Sequence, residues 1–294
     1  MPSSLSRGRV LGTLLATALL ALAPAAAAVA RDGVYGGATR AGDPIVITTD
    51  AKAQKITGAV FRVRVNGDDG DWWAIAGKAK VGAQRSDPLT IPNDVLLADR
   101  NGRGRFDVGL LRTISSSSDR VVLGGITLKG TLKPGKASGT IRGWVTVTNP
   151  ATMDLVGNYQ TASVKWTAER SVGRVYGGAL ANEMPIVLKL DRRATKVSEL
   201  ALVCDTDRST PPGWVWNSSE WLADFRLRSG RFGDTFSYPE RASDWTTTYE
   251  WKIAGRVTTK SATGSVALTV RVTESSGDAY TFVMPATKFT AATG

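Results

Sequence analysis

Nine tryptophans stand out in a chain of 294 residues that has no histidine and one cysteine. Two lie together in "NGDDGDWW" (Trp72, Trp73) and two in "GWVWNSS" (Trp214, Trp216), with Trp221 close behind. Flat aromatic faces with a polar edge suit stacking on sugar rings or on a partner surface. Trp72, Trp73, Trp214 and Trp216 are therefore the candidate ligand-binding residues. Trp144 also falls out of phase with the apolar positions around it. Core packing is the competing reading, because tryptophan is highly buried on average. Exposure decides between them.

Other residue types argue against familiar catalysis. Without histidine the commonest general base and the commonest zinc ligand are both missing. The Ser115–Ser118 run cannot form a Ser-His-Asp triad, although lysine-assisted serine chemistry needs no histidine. Asp68, Asp69 and Asp71 share a Gly-rich turn but lack the Asp-x-Asp-x-Asp-Gly frame and distal Glu of a calcium loop. No catalytic, metal-binding or cofactor residues are expected. A hydrolase whose carboxylates lie far apart in sequence would escape this reading.

These side chains need a scaffold, and the first thirty residues say where it works. Arg7 and Arg9 precede the apolar run "VLGTLLATALLALA", and Ala28-Val29-Ala30 offers a small-residue cleavage site. Residues 1–30 read as a signal peptide, giving a secreted or cell-surface protein that begins near Arg31. No later segment is apolar enough to span a bilayer. Removing Arg7 and Arg9 lowers the basic count from 37 to 35 against 26 acidic residues, a net charge of +9. That charge suits an anionic partner such as envelope polysaccharide. Basic residues alternate along "FRVRV" and "ITLKGTLK" rather than clustering, which speaks against nucleic acid.

One phrase occurs twice. "VYGGATRAGDPIVI" (34–47) returns as "VYGGALANEMPIVL" (175–188) at an offset of 141. "GRF" recurs at 104–106 and 230–232, "KASGTIRGWVTVT" (136–148) as "SATGSVALTVRVT" (261–273), and "VKWTA" (164–168) as "TKFTA" (287–291). Ordered blocks at shrinking offsets describe an internal duplication with loop-length changes. In "ITLKGTLK" Ile126, Leu128 and Leu132 share one face while Thr127, Lys129 and Lys133 share the other. Period two over runs this long predicts half-buried antiparallel strands. The chain is expected to be all-β: two tandem, mutually similar antiparallel β-sandwich or partly open β-barrel domains, 31–171 and 172–294. The Pro of "DPIV" and "MPIV" is expected to open a strand at a sheet edge.

These words together resemble an uncharacterised family of exported bacterial all-β domains. The shared pattern is a "YGG…PIV" opening, an apolar strand ending in Cys, a "GRF" strand and a "C-D-T-G-x-V-x-W" close. The resemblance implies an all-β fold and an exported address, and lends no activity. The early Cys position falls at Val63 and Cys204, and the closing one at Tyr159 and Phe282. It thus implies that the first half replaces a disulfide by an apolar pair, and that the second keeps one orphan thiol. The resulting expectation is an exported, non-enzymatic structural or adhesion module at the envelope. The alternatives are a carbohydrate- or wall-polymer-binding module using the Trp clusters, and a secreted hydrolase.

Overall fold

Strand patterning with period two, and no helical stripe, fixes the local structure of both halves. A computed structural model describes residues 33–50, 56–66, 72–80, 105–116, 121–210 and 216–294. The first half forms β1 (Gly33–Thr39), β2 (Pro44–Thr49), β3 (Ile56–Asn66), β4 (Trp72–Lys80), β5 (Arg105–Ser116), β6 (Val121–Lys133), β7 (Lys136–Thr148), β8 (Leu155–Gln160) and β9 (Val164–Glu169). The second forms β10 (Val175–Leu180), β11 (Pro185–Leu190), β12 (Lys196–Thr210), β13 (Trp216–Leu222), β14 (Phe225–Arg226), β15 (Arg231–Arg241), β16 (Trp245–Val257), β17 (Ser261–Glu274) and β18 (Ala279–Ala292). All pairings between these strands are antiparallel.

Each half builds one sheet, in the orders β4-β3-β2-β1-β9-β7-β6-β5 and β13-β12-β11-β10-β18-β17-β16-β15. The plans agree register by register. Phe106 pairs with Gly130 and Phe232 with Gly255, while Gly139 pairs with Trp166 and Gly264 with Phe289. Val63 pairs with Ile75 as Cys204 pairs with Ser218. In both halves the opening hairpin is wedged into the sheet. Beyond the turn of the second hairpin, β12 and β18 pair directly at Asp207–Val283 and Arg208–Phe282. Beyond the first, β3 meets β8 at Asn66–Gln160.

That wedge corrects the edge reading of the two prolines. β2 lies between β1 and β3, and β11 between β10 and β12. Pro44 and Pro185 do begin their strands, next to the tight turn, but inside the sheet. Their neighbours Ile45, Val46 and Ile47, like Ile186, Val187 and Leu188, are fully buried on both faces. A continuous apolar run is what two-sided burial requires.

One face of each hairpin joins its own core. Tyr35, Ile45 and Ile47 pack with Phe61, Ile126 and Trp166, and Tyr176, Ile186 and Leu188 pack with Leu202, Trp251 and Phe289. Val63 and Tyr159 join the first cluster, and Cys204 and Phe282 the second. The Cys204 thiol is fully buried, and desolvation raises its pKa well above the ordinary thiol value.

The opposite faces of the hairpins meet each other. Val34, Val46 and Val60 pack against Val187 and Ala201 in a third, smaller cluster. A Cβ on Gly36 would lie 2.9 Å from the Val187 side chain and 3.1 Å from Val175. One on Gly177 would lie 2.7 Å from Val46 and 3.0 Å from Val34. Each half thus offers the other the same residues, as in an isologous contact. The second glycine of each word has a different task. A Cβ on Gly37 would sit 2.0 Å from the Thr167 carbonyl oxygen, and one on Gly178 1.9 Å from that of Thr290. The repeated phrase joins hairpin to closing strand with its second glycine, and half to half with its first.

The reciprocity fails at one place. Asp43 and Arg62 form an ion pair at 2.5 Å, with side chains only 8% exposed. Ser219 of the second half donates to Asp43 Oδ1 at 2.6 Å, and Trp221 Nε1 donates to the Gly42 carbonyl at 2.8 Å. At the same offset the second half carries Met184 and Val203 instead of Asp43 and Arg62. The polar clasp therefore exists on one side only.

Candidate functional site

The tryptophans chosen from sequence are placed unevenly. Trp72 and Trp73 open β4, opposite Asn66 and Val65, and Trp216 opens β13 opposite Thr206. Their side chains, and the whole of Trp214, lie outside the described residues. Trp144 is not a free platform, because its ring covers the backbone of Gly125 closely enough that a Cβ there would lie 2.5 Å from it. Trp166 and Trp251 are core residues. Among the described side chains, Trp221 at 44% and Trp245 at 56% are the clearly exposed tryptophans. Composition flagged tryptophan without showing which of them water reaches.

A polar group in an apolar setting is the more informative feature, and the second sheet contains several. That sheet curls until its two terminal strands, β13 and β15, feed one core: Leu222 comes from β13 and Phe232 from β15. Phe225 of β14 closes one end of the gap, with its ring centroid 6.1 Å from that of Phe232 and 6.3 Å from that of Phe236. Alternation then sets what lines the rest. On β13, Ser218 and Glu220 share the face of the buried Leu222. On β15, Phe236, Tyr238 and Glu240 follow Phe232 on the inward face. On β16, Trp245 stands exposed at the hairpin tip, on the same face as Thr247, Tyr249 and Trp251.

The two tyrosines pair across β15 and β16 and stack, with centroids 4.9 Å apart and planes 20° apart. The Tyr249 hydroxyl donates to Glu240 Oε2 at 3.2 Å, and Ser218 Oγ donates to Glu220 Oε1 at 2.6 Å. Burial raises the pKa of Glu220, and the nearby Glu240 charge adds to the rise. Burial also raises both tyrosine pKa values, reinforced by the Glu220 and Glu240 charges. Carboxylates from the two terminal strands therefore share one electrostatic environment. Beneath the tyrosines, Trp251 is fully buried and its Nε1 hydrogen has no hydrogen-bond partner. It approaches the Tyr238 hydroxyl closely enough to favour the phenolate, yet outside hydrogen-bond geometry. Two carboxylates and two phenols thus gather at the β13 and β15 end of the second sheet, above the buried Trp251 indole.

Glu220 makes a sign that stability measurements can read. Its carboxyl pKa is higher folded than unfolded, so its ionisation opposes folding. Stability should fall as pH rises from the ordinary carboxylate range through the raised folded value. Glu220→Gln keeps an acceptor for Ser218 and removes the titration. Its melting temperature is expected to exceed that of the parent at pH 7, and the gap to shrink at pH 4. A Gln variant that melts lower at pH 7 would show that the carboxylate is compensated.

None of the residues gathered at this end was singled out in sequence. Glu220 and Glu240 are twenty positions apart on different strands, and only the fold brings them within reach of each other's charge. The alternating aromatics Tyr249 and Trp251 in "TTYEWKI" were the one local signal. Among the described residues no cluster of three metal-ligating side chains occurs, and no helix is long and apolar enough to cross a membrane.

No family profile matches the chain, and no curated protein matches it either. Among solved structures, one from Nitrosomonas europaea, whose name AttH is provisional, aligns with 89% of this chain and 91% of its own. Its identity is 12% and the TM-score 0.17, too low for a fold or a role to be carried across.

Proposed function

We propose that the chain is an exported, non-enzymatic binding module of the cell envelope, made of two halves related by duplication, with polysaccharide as its partner. The seam between β13 and β15 is the binding end. The observation that carries this reading is the unpartnered indole N–H of Trp251 below the Tyr238–Tyr249 stack, with Glu240 on the Tyr249 hydroxyl. A buried donor without an acceptor costs free energy that a ligand oxygen would recover. Aromatic faces with flanking carboxylates are suited to sugar rings, whose hydroxyls donate to carboxylate oxygens. Export is supported by the charged and apolar pattern of residues 1–30. The positive charge of the chain adds salt-sensitive attraction to an anionic polymer.

The test is retention of residues 31–294 on immobilised envelope polysaccharide at low and high salt, compared with Tyr249→Ala and Trp245→Ala variants that remain folded. Retention at both salts that the variants lose is the expected result. Equal retention by all three proteins would remove the seam from the binding surface, and none at either salt would remove the binding role.

A second reading draws on the same carboxylates. A glycoside hydrolase needs one carboxyl with a raised pKa as proton donor and a second as base or nucleophile. Glu220 has the raised value and Glu240 is its neighbour. Release of reducing ends from the bound polysaccharide, abolished in Glu220→Gln, would establish catalysis in place of binding.

A further inference from the structure

We infer that the outward face of the second sheet holds a site for the oxyanions of a linear acidic polymer, formed by Arg228, Arg231 and Arg256 with the hydroxyls of Thr263 and Thr290. This rests on the envelope-polymer role proposed above and adds a second, charged contact to it. Turn chemistry sets the row. Ser229 and Gly230 both take positive φ, at 50° and 74°, which makes "RSGR" a tight two-residue hairpin. Its arms exchange both hydrogen bonds, Arg228 N to the Arg231 carbonyl at 2.8 Å and Arg231 N to the Arg228 carbonyl at 2.9 Å. Arg231 then pairs with Arg256, Arg256 with Thr263, and Thr263 with Thr290. Cross-strand partners share a face, so five side chains stand in one line, their roots about 5 Å apart. All five are exposed, on the face away from the buried Phe232. Gly233, Ala254 and Ser265 form the next line on that face, small enough to leave room for a polymer chain beside the guanidinium groups.

The charge pattern is one that folding alone disfavours. Like charges directly opposite on neighbouring strands are destabilising, and here three lie side by side. Among the described residues none of the three has an acidic partner, although Lys189, Lys196 and Arg271 are each matched by a carboxylate. Nor does the architecture require them. In the first half the same register pairs Arg105 with Thr131 and Thr131 with Ser138, so a single arginine suffices there. An oxyanion offsets the repulsion, and the planar guanidinium fork presents parallel donors to it. Repeated anionic groups along one polymer engage the three arginines together, at an effective concentration that a single anion does not reach.

Titration calorimetry of residues 31–294 at low salt, with polyphosphate and with polygalacturonate, tests the inference. Polyphosphate carries no sugar and therefore reads the arginine row apart from the seam. The triple variant Arg228→Thr, Arg231→Thr, Arg256→Thr extends the first half's Thr131 along the row and is expected to bind the polyanion at least tenfold more weakly. Without ligand it is expected to melt at or above the parent temperature, because the repulsion is gone. Binding of polyphosphate that the variant loses assigns phosphate to the row, and such binding of polygalacturonate alone assigns carboxylate. Equal affinity in parent and variant would overturn the row and leave the seam untouched. Binding of neither polymer by the parent would overturn the anion site, while retention through Tyr249 and Trp245 still judges the seam. A variant that melts well below the parent would assign the arginines to the fold instead. Tighter binding of single-stranded DNA than of either polymer would overturn the envelope partner.

Discussion

Asp43→Ala is expected to destabilise the protein by about 3–5 kcal/mol, the cost of breaking a buried ion pair from one side. The guanidinium of Arg62 would lose its carboxylate at a site where both side chains are 8% exposed, and Ser219 would lose its acceptor. Arg62→Val alone should cost a similar amount, because Asp43 would then be the stranded charge. The second half already shows an apolar solution. At equivalent positions it carries Met184 and Val203, and Ala76 of the first half stands where the second has Ser219. The combination Asp43→Met, Arg62→Val and Ser219→Ala would give the first side the apolar residues of the second at these three positions, leaving the Trp221–Gly42 bond in place. It is expected to return stability to within about 1 kcal/mol of the parent, since well-packed apolar replacements of buried ion pairs are often neutral or better. Denaturant midpoints at constant slope compare the three variants with the parent. A triple variant as unstable as Asp43→Ala would show that the two faces are not interchangeable.

The second large effect separates the two glycines of one word. Gly178→Ala would place a Cβ 1.9 Å from the Thr290 carbonyl oxygen and 2.6 Å from Ala291 Cα. Both obstacles are backbone, so no rotamer change relieves them, and β10 would have to leave β18. The expected loss is about 3 kcal/mol or more, at the upper end of overpacking costs. Gly36→Ala meets only the tips of Val187 and Val175, at 2.9 and 3.1 Å. Those side chains can shift, and about 1 kcal/mol is expected. Thermal or denaturant unfolding of both variants gives the ranking. The reverse order would contradict the division of labour between the two glycines.

How much of this could be read in advance depends on the range of the interaction. The strands were legible because alternation is local: Ile126, Leu128 and Leu132 are buried while Lys129 and Lys133 are exposed. The repeat was legible as ordered words, and the registers of Phe106, Phe232, Val63 and Cys204 follow it. The two-sided burial of "PIVI" was available in its unbroken apolar run, but the prolines suggested an edge instead. The seam was not legible. Its lining comes from three strands that alternate correctly yet reveal nothing about curl, and only the fold brings Glu220 within reach of the Glu240 charge. The Asp43–Arg62 clasp was hidden for the same reason, since its third partner, Ser219, is 176 residues from Asp43.

The indole N–H resonance of Trp251 gives the most direct test of ligand binding at the seam. It can be identified in a nitrogen-15 spectrum by its loss in Trp251→Phe, and followed while a short oligosaccharide of the envelope polymer is added. A saturable downfield shift, accompanied by changes at Tyr238 and Tyr249, is the predicted result, because the buried donor gains an acceptor. A Trp251 resonance that stays fixed at saturating oligomer, with changes elsewhere or nowhere, would contradict it.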